Sequence, residues 1–166
     1  GAVIVGSHVK KTTQQLQQLL KQPGVAALEV EVDRIDREGP ALLADLLTAA
    51  GDAHASGATP VIYTSRTEKT FADQKTRLAF GERVSAFLMQ VVRGLPPTLG
   101  FLISKGGITS NDVLSSGLAL KTARVLGQIL PGCSVVRCPQ DHPRYPGMPV
   151  VIFPGNVGED NGLATV

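Results

Sequence analysis

Tryptophan is absent from this chain of 166 residues, and aromatic residues together make up only 4% of it. Proteins that bind single-stranded nucleic acid stack bases on aromatic side chains, so this chain has little material for such a platform. The chain also lacks a large excess of charge of one sign, because its 16 Lys and Arg residues are nearly balanced by 14 Asp and Glu residues. The resulting net charge of +2 argues against a general nucleic-acid or membrane binder.

Cysteine is nearly absent as well, with only Cys133 and Cys138. An odd separation along an extended strand sends two side chains to opposite faces, so we expect no disulfide between them. Without nearby histidines they form no metal-binding pattern. Long apolar runs and a charged leader are missing too, which favours a soluble, cytoplasmic protein in reducing surroundings. Because the chain enters a strand at once, we expect it to be a piece of a longer protein.

What is present is an alternation of strand-like and helix-like segments. Apolar runs at AVIVGS, AALEVEVD, TPVIYTSR and GFLISKG predict strands, and helices are expected to start at Thr12-Thr13, at Pro40 and at residue 70. The runs ARVLGQI, SVVRC and PVVIF follow with only short turns between them. This order predicts one domain over residues 1–166, a three-layer α/β/α fold with a mixed, mostly parallel sheet. The segment 139–149 is interpreted as a surface loop.

Ligands of open α/β sheets bind outside the carboxyl ends of the strands, which directs attention to the loops that follow strands. Three of these loops, at residues 6–13, 105–112 and 153–162, combine glycine with hydroxyl, amide or cationic groups. Such junctions can bind phosphate or carboxylate through backbone N–H groups, and the Thr109 and Ser110 hydroxyls are expected to face the ligand. In the competing interpretation, the glycines only turn the chain and the hydroxyls only cap helices.

The best-known nucleotide motifs do not match these loops. Lys10 stands where a P-loop requires its second glycine, and no G-x-G-x-x-G follows a strand. Lys10 and Lys105 are candidates for neutralising phosphate, with ordinary surface lysines as the alternative. Asn111 and Asp112 could help to hold Mg²⁺, but Asp112 could equally favour the N-terminus of a helix that we expect to begin near Asn111. The same two alternatives apply to Glu159 and Asp160, and no role is assigned to His8, His54 or His142.

Several motifs occur in a specific order over essentially the whole chain: Gly6-Ser7 with Thr13 and Gln14, the Gly-Gly-x-Thr-Ser run of residues 106–110, the segment ILPGCSVVR, and the turn 154–158. Together they resemble the C-terminal nucleotide-binding domain of the four-carbon acid sugar kinases. Many members of that family carry Asp in place of Ile108 and Lys-Ser in place of Phe153-Pro154. Only backbone contacts therefore carry over at these positions.

The resemblance implies that ATP, with Mg²⁺, contacts a set of residues from all three loops. A four-carbon sugar acid such as threonate, erythronate or 3-oxo-tetronate would receive the γ-phosphate on a terminal hydroxyl, in a site formed mainly by an N-terminal domain that this chain lacks. The catalytic base is not assigned, and a homo-oligomer is left open. The alternatives are a non-catalytic nucleotide- or anion-binding module and a purely structural domain. The residues implied to bind ATP are Ser7, Gly106, Gly107, Ile108, Thr109 and Gly155.

Overall fold

A single sheet forms the middle layer of the computed structural model, which describes residues 1–66 and 69–166. In these residues the sheet has seven strands in the order β2-β3-β1-β4-β7-β6-β5. The first five strands in this order, β2, β3, β1, β4 and β7, are parallel to one another, whereas β6 is antiparallel to both of its neighbours. The strands are β1 (Ala2–Val5), β2 (Val25–Val30), β3 (Thr59–Thr64), β4 (Leu102–Lys105), β5 (Arg124–Leu130), β6 (Cys133–Arg137) and β7 (Pro149–Phe153).

Helices cover both faces of the sheet, because alternate side chains of each strand point to opposite sides. On one face Val3 and Val5 pack with Leu16 and Leu19 of α1. On the other face the core includes side chains of α2 and α3. The predicted three-layer α/β/α fold with a mixed, mostly parallel sheet is therefore confirmed. The helices are α1 (Lys10–Leu19), α2 (Ile35–Ala55), α3 (Gln74–Gly94) and α4 (Gly107–Asp112), with 3-10 turns at Val32–Arg34 and Gly162–Ala164 and a π-helical turn at Val113–Gly117.

All three predicted helix starts are wrong. α3 begins at Gln74 and not at residue 70. α1 begins at Lys10 without a side-chain cap, so Thr12 and Thr13 lie inside the helix instead of capping it. α2 begins at Ile35, ahead of the expected Pro40. Its backbone departs from helical geometry at Glu38, with φ −134° and ψ 19°. Pro40 follows this break, because proline is well tolerated only in the first turn of a regular helical segment.

The segment 139–149 is more than a surface loop. Tyr145 and Met148 within it are buried, and the Tyr145 hydroxyl lies 2.9 Å from the Val92 carbonyl oxygen at the end of α3. The segment is therefore packed against the core through part of its length. The prediction that Cys133 and Cys138 form no disulfide is confirmed, because both thiols are free. The two residues are buried in the core clusters on opposite faces of the sheet.

The strand order places a topological switch point at β1. The chain leaves β1 through α1 towards the edge strand β2, whereas β4 pairs with β1 on its other side and continues through α4. Connections that diverge in this way leave a crevice at the carboxyl ends of the two strands, where α/β sheets bind ligands. Among the helices of the described residues, none is both long and apolar enough to cross a membrane.

Candidate functional site

Three loops meet at the carboxyl edge of the sheet, after β1, β4 and β7. Thr12 joins the first loop to the third, because its Oγ1 lies 3.2 Å from Ser7 Oγ and 3.1 Å from the Gly155 carbonyl oxygen. The Gly106 N–H joins the second loop to the third by donating to the Phe153 carbonyl at 2.8 Å. We call the surface formed by Gly6, Ser7, Gly106, Thr109 and Gly155 the cradle.

Glycine is required in the cradle because the backbones approach closely. A Cβ atom on Gly106 would lie 2.8 Å from Ser7 Cβ, and the φ of Gly106 is +122°, a region that L residues rarely adopt. A Cβ on Gly6 would overlap Thr109 Oγ1, and one on Gly155 would lie 3.2 Å from Ser7 Oγ. The glycines therefore allow the three loops to lie in close contact.

The helix after β4 starts earlier than expected. α4 begins at Gly107, with Gly106 as an N-cap that has no side-chain hydrogen bond. The first helical bond runs from the Ser110 N–H to the Gly106 carbonyl at 2.8 Å, so the preceding N–H groups of the first turn have no partner within the helix. Asp112 lies at the C-terminal end of α4, so its expected role at a helix N-terminus is wrong. Its carboxylate instead accepts a hydrogen bond from the Ser85 hydroxyl.

The two neighbouring hydroxyls of α4 have different surroundings. Ser110 is buried, and its Oγ donates to the Ser104 carbonyl oxygen at 2.9 Å, which corrects the expectation that it faces a ligand. Thr109 is also largely buried, and its Oγ1 would overlap a Cβ atom on Gly6 and lie 3.1 Å from one on Gly106. Thr109 is therefore the α4 hydroxyl of the cradle. The Ile108 side chain beside it is 79% exposed.

Lys105 is a buried cation beneath the third loop. Its side chain is 0% exposed, so the surface-lysine alternative does not apply to it, whereas Lys10 is exposed. The Lys105 Nζ donates to the Pro154 carbonyl at 2.6 Å and lies 4.1 Å from the centre of the Phe153 ring. None of the ion pairs among the described residues includes it. Burial lowers the pKa of Lys105 to about 8, against a smaller opposing effect of Cys133.

The first turns of α1 hold the third loop in place through residues that the sequence analysis did not single out. The buried Gln15 amide donates to the Val157 carbonyl at 2.9 Å and to the Glu159 carbonyl at 2.7 Å. Lys11 pairs with Asp160 at 3.2 Å. Thr12 and Gln15 are three positions apart in α1 and therefore share one helix face, which was the available sequence signal.

Arg66, after β3, is a second cation that the sequence analysis missed. Its Nη2 donates to the Ser7 carbonyl at 2.8 Å and to Thr13 Oγ1 at 2.7 Å. Burial lowers the pKa of Arg66. His8, in the first loop, lies 3.1 Å from Thr64 Oγ1 through its Nε2. The other two histidines make structural contacts, His54 with Thr98 and His142 with the Leu118 carbonyl.

Comparison with known proteins identifies the class to which this fold and site belong. The profile of the family described as "Nucleotide-binding C-terminal domain" matches residues 2–163. The chain therefore belongs to the family of nucleotide-binding C-terminal domains. No curated protein matches the chain.

Solved structures share the fold at low sequence identity. A candidate tRNA synthase from Salmonella typhimurium LT2 is 21% identical, with a TM-score of 0.75, over 98% of this chain and 39% of that one. A Bordetella bronchiseptica protein with a domain of unknown function (DUF1537), a domain-swapped dimer with bound citrate, is 19% identical, with a TM-score of 0.74, over 98% of this chain and 39% of that one. The chain thus spans well under half the length of these proteins.

Replacing Gly106 by alanine is expected to destabilise the protein. The added Cβ would contact Ser7 in a backbone conformation that is unfavourable for alanine, at a cost of roughly 1–3 kcal/mol. Gly107→Ala is the matched control, because nothing lies within 4 Å of a Cβ there and the position starts a helix. Chemical unfolding of both variants measures the difference. Equal stabilities would show that the close approach of the second loop to Ser7 is wrong.

The buried Lys105 is expected to make stability depend on alkaline pH. Its pKa is about 8 in the folded chain and 10.5 in the reference state, so between these values the unfolded chain binds more protons and stability rises with pH. Relative to Lys105→Met, the parent should therefore gain up to about 3 kcal/mol between pH 7 and pH 10.5. Urea unfolding across this range, with the exposed Lys10→Met as control, tests the sign. A flat difference for Lys105→Met would contradict it.

Proposed function

We propose that residues 1–166 form the ATP-binding domain of a four-carbon acid sugar kinase. The observation that carries this proposal is the meeting of three glycine-containing loops at the topological switch point, in a chain of the nucleotide-binding family. The order of the motifs at Gly6, Gly106 and Gly155 supports the narrower assignment through its resemblance to the sugar-acid kinases. The γ-phosphate would pass to a terminal hydroxyl of threonate, erythronate or a 3-oxo-tetronate.

In this proposal the cradle binds the phosphates of ATP. The free N–H groups of the first turn of α4 and the Thr109 hydroxyl would donate to phosphate oxygens, as donors at loop-to-helix junctions do. Lys105 would act from beneath the third loop, because its buried Nζ donates to the carbonyl oxygens of Pro154 and Gly155. Its positive charge still favours an anion in the cradle. Phosphoryl transfer depends mainly on such positioning and charge stabilisation.

Mg²⁺ fits the proposal as an ion that arrives with ATP. The described residues contain no cluster of three His, Cys, Asp or Glu side chains that could hold a metal. Mg²⁺ is commonly held by substrate phosphates and waters with few protein ligands, so a dedicated cluster is not required. When bound, it would neutralise charge on the phosphates that are transferred and released.

The acceptor would be bound mainly by a part of the protein outside this chain. The chain spans 39% of the Salmonella and Bordetella proteins of the same fold, which leaves room for a substrate domain. The acceptor hydroxyl oxygen would attack the γ-phosphorus, its proton would pass to a base outside this chain, the bond from phosphorus to the bridging oxygen would break, and ADP would leave. The bound citrate of the Bordetella protein supports a small carboxylate as ligand, and its domain-swapped dimer supports a homo-oligomer.

A non-catalytic nucleotide- or anion-binding module is the second candidate. It is favoured by the composition of the cradle, which contains the side chains of Ser7 and Thr109 and three glycines. None of these is an ordinary general base. The module would keep the phosphate contacts and transfer nothing. Activity of the longer protein separates the two candidates.

Thr109→Val is expected to weaken ATP binding by roughly 10-fold to 150-fold. The substitution keeps the shape of the side chain but removes a hydrogen bond to a charged phosphate, worth about 1.5–3 kcal/mol. Calorimetric titration with ATP, with and without Mg²⁺, measures the change. Ser110→Ala is the matched control, because that hydroxyl bonds within the fold and its loss should reduce stability alone. Unchanged affinity in a folded Thr109→Val variant would remove Thr109 from the site.

The chain by itself is expected to phosphorylate no tetronate at an appreciable rate. Positioning of the acceptor against ATP can supply about 7–11 kcal/mol of the barrier reduction, and the acceptor site is proposed to lie elsewhere. Phosphorus NMR with threonate, erythronate and 3-oxo-tetronate detects the product, and the full-length protein serves as the positive control. Robust turnover by residues 1–166 would refute the division of the site. Failure of the full-length protein on all three acids, with ATP bound, would favour the non-catalytic module.

A further inference from the structure

An open groove lies beside the cradle, on the face of the sheet that α1 covers. We call it the α1–β3 groove. Its volume of about 450 Å³ lies within the range of roughly 300–1,000 Å³ typical of small-molecule sites. It is lined by Thr13, Leu16, Gln17 and Leu20 of α1, Glu29 of β2, Tyr63 of β3 and Arg66.

Arg66 connects this groove to the cradle. The guanidinium lines the groove and at the same time donates to the Ser7 carbonyl, whose residue also belongs to the cradle. β3 is the immediate neighbour of β1, and adjacent strands are about 4.8 Å apart. A ligand that reaches from the cradle into the groove therefore crosses one or two strand spacings, roughly 5–10 Å, which a sugar attached to a phosphate can span.

The groove contains hydrogen-bonding capacity that the protein does not use. The Nε and Nη1 atoms of Arg66 are buried and have no hydrogen-bond partner among the described residues. Unmet donors of a buried group are costly, so acceptor atoms of a ligand would be favoured near them after a small adjustment of the side chain. Glu29 offers a carboxylate acceptor from the neighbouring strand, and the amide of Gln17 is exposed on α1.

The charged residues that line the groove favour a neutral part of a ligand over an anionic part. One cation, Arg66, and one carboxylate, Glu29, line it, so the groove lacks the excess of positive charge found in the cradle region around Lys105. Leu16, Leu20 and the Tyr63 ring add an apolar wall. A group with hydroxyls, ring nitrogens and a flat apolar face matches this lining.

We propose that the α1–β3 groove binds the nucleoside part of the nucleotide whose phosphates occupy the cradle. This inference rests on the proposed function. Ribose hydroxyls would donate to the Glu29 carboxylate, and acceptor atoms of the ribose or base would receive hydrogen bonds from Arg66. The base would lie against the apolar wall formed by Tyr63 and the leucines of α1.

The test compares ATP with inorganic tripolyphosphate, which has phosphates but no nucleoside. Glu29→Gln removes the acceptor charge, and Gln17→Trp fills the groove from an exposed helix position. We expect Glu29→Gln, through a weaker hydrogen bond, and Gln17→Trp, through steric exclusion of the nucleoside, each to bind ATP about 10-fold more weakly. Both variants should bind tripolyphosphate within about 2-fold of the parent. Calorimetry measures both ligands.

Matched controls make the same changes outside the groove. Glu31→Gln removes an equal charge two residues further on, and its ion pair with Arg34 is exposed and contributes little to stability. Gln22→Trp places the same large side chain at an exposed position beyond α1. Both controls should bind ATP and tripolyphosphate like the parent, and thermal unfolding should show that all four variants are folded.

The outcomes separate this inference from the proposed function. If the folded groove variants bind ATP like the parent while Thr109→Val binds it weakly, the nucleoside lies elsewhere and the inference is overturned alone. Equal weakening of ATP and tripolyphosphate would also overturn it, because the groove would then act on the phosphates. If the parent chain binds no ATP, the proposed function fails, and the inference fails with it.

Discussion

The parallel pairing of β1 with β4 is the constraint on which the rest of the site depends. Its register places Val5 beside Lys105, so Gly6 and Gly106 leave the sheet at the same level. β7 extends this alignment, because Lys105 is also paired with Phe153. Three loops therefore begin side by side, close enough for Thr12 and Gly106 to join them by hydrogen bonds. A shift of one residue would turn each side chain to the opposite face and separate Lys105 from the third loop.

The buried Lys105 and the half-buried Arg66 support the proposal that this edge of the sheet binds an anion. Lys105 has carbonyl oxygens and an aromatic ring as partners, and Arg66 leaves two buried nitrogens without a hydrogen bond. Removing charge from water without an opposite charge beside it costs free energy. Strongly shifted pKa values at a cleft are typical of functional sites. An anion in the cradle would offset part of the cost, so binding is expected to stabilise the folded chain.

The sequence predicted most strands and helices correctly, but it predicted the residues at which helices begin less well. Apolar periodicity placed all seven strands, and glycine next to hydroxyl residues directed attention to the three loops that meet. The start of α4 was misplaced because Gly106 itself takes the N-cap position, which sequence rules assign more readily to Asn111. Ser110 and Thr109 could not be told apart, since adjacent helix positions differ in surroundings only after the helix has packed. Arg66 was missed because its neighbours in the sequence give no sign that this cation will be half-buried.

What the sequence determined by itself was the local pattern: strands and helices in alternation, a change to a meander after β4, and flexible glycine junctions where strands end. These features depend on neighbours a few positions apart, which a linear sequence displays directly. Only the tertiary structure decided that Ser7, Gly106 and Gly155 lie together and that Lys105 is buried while Lys10 is exposed. Strand order and register cause both outcomes. They arise from pairing between segments far apart in the chain, which no local spacing records.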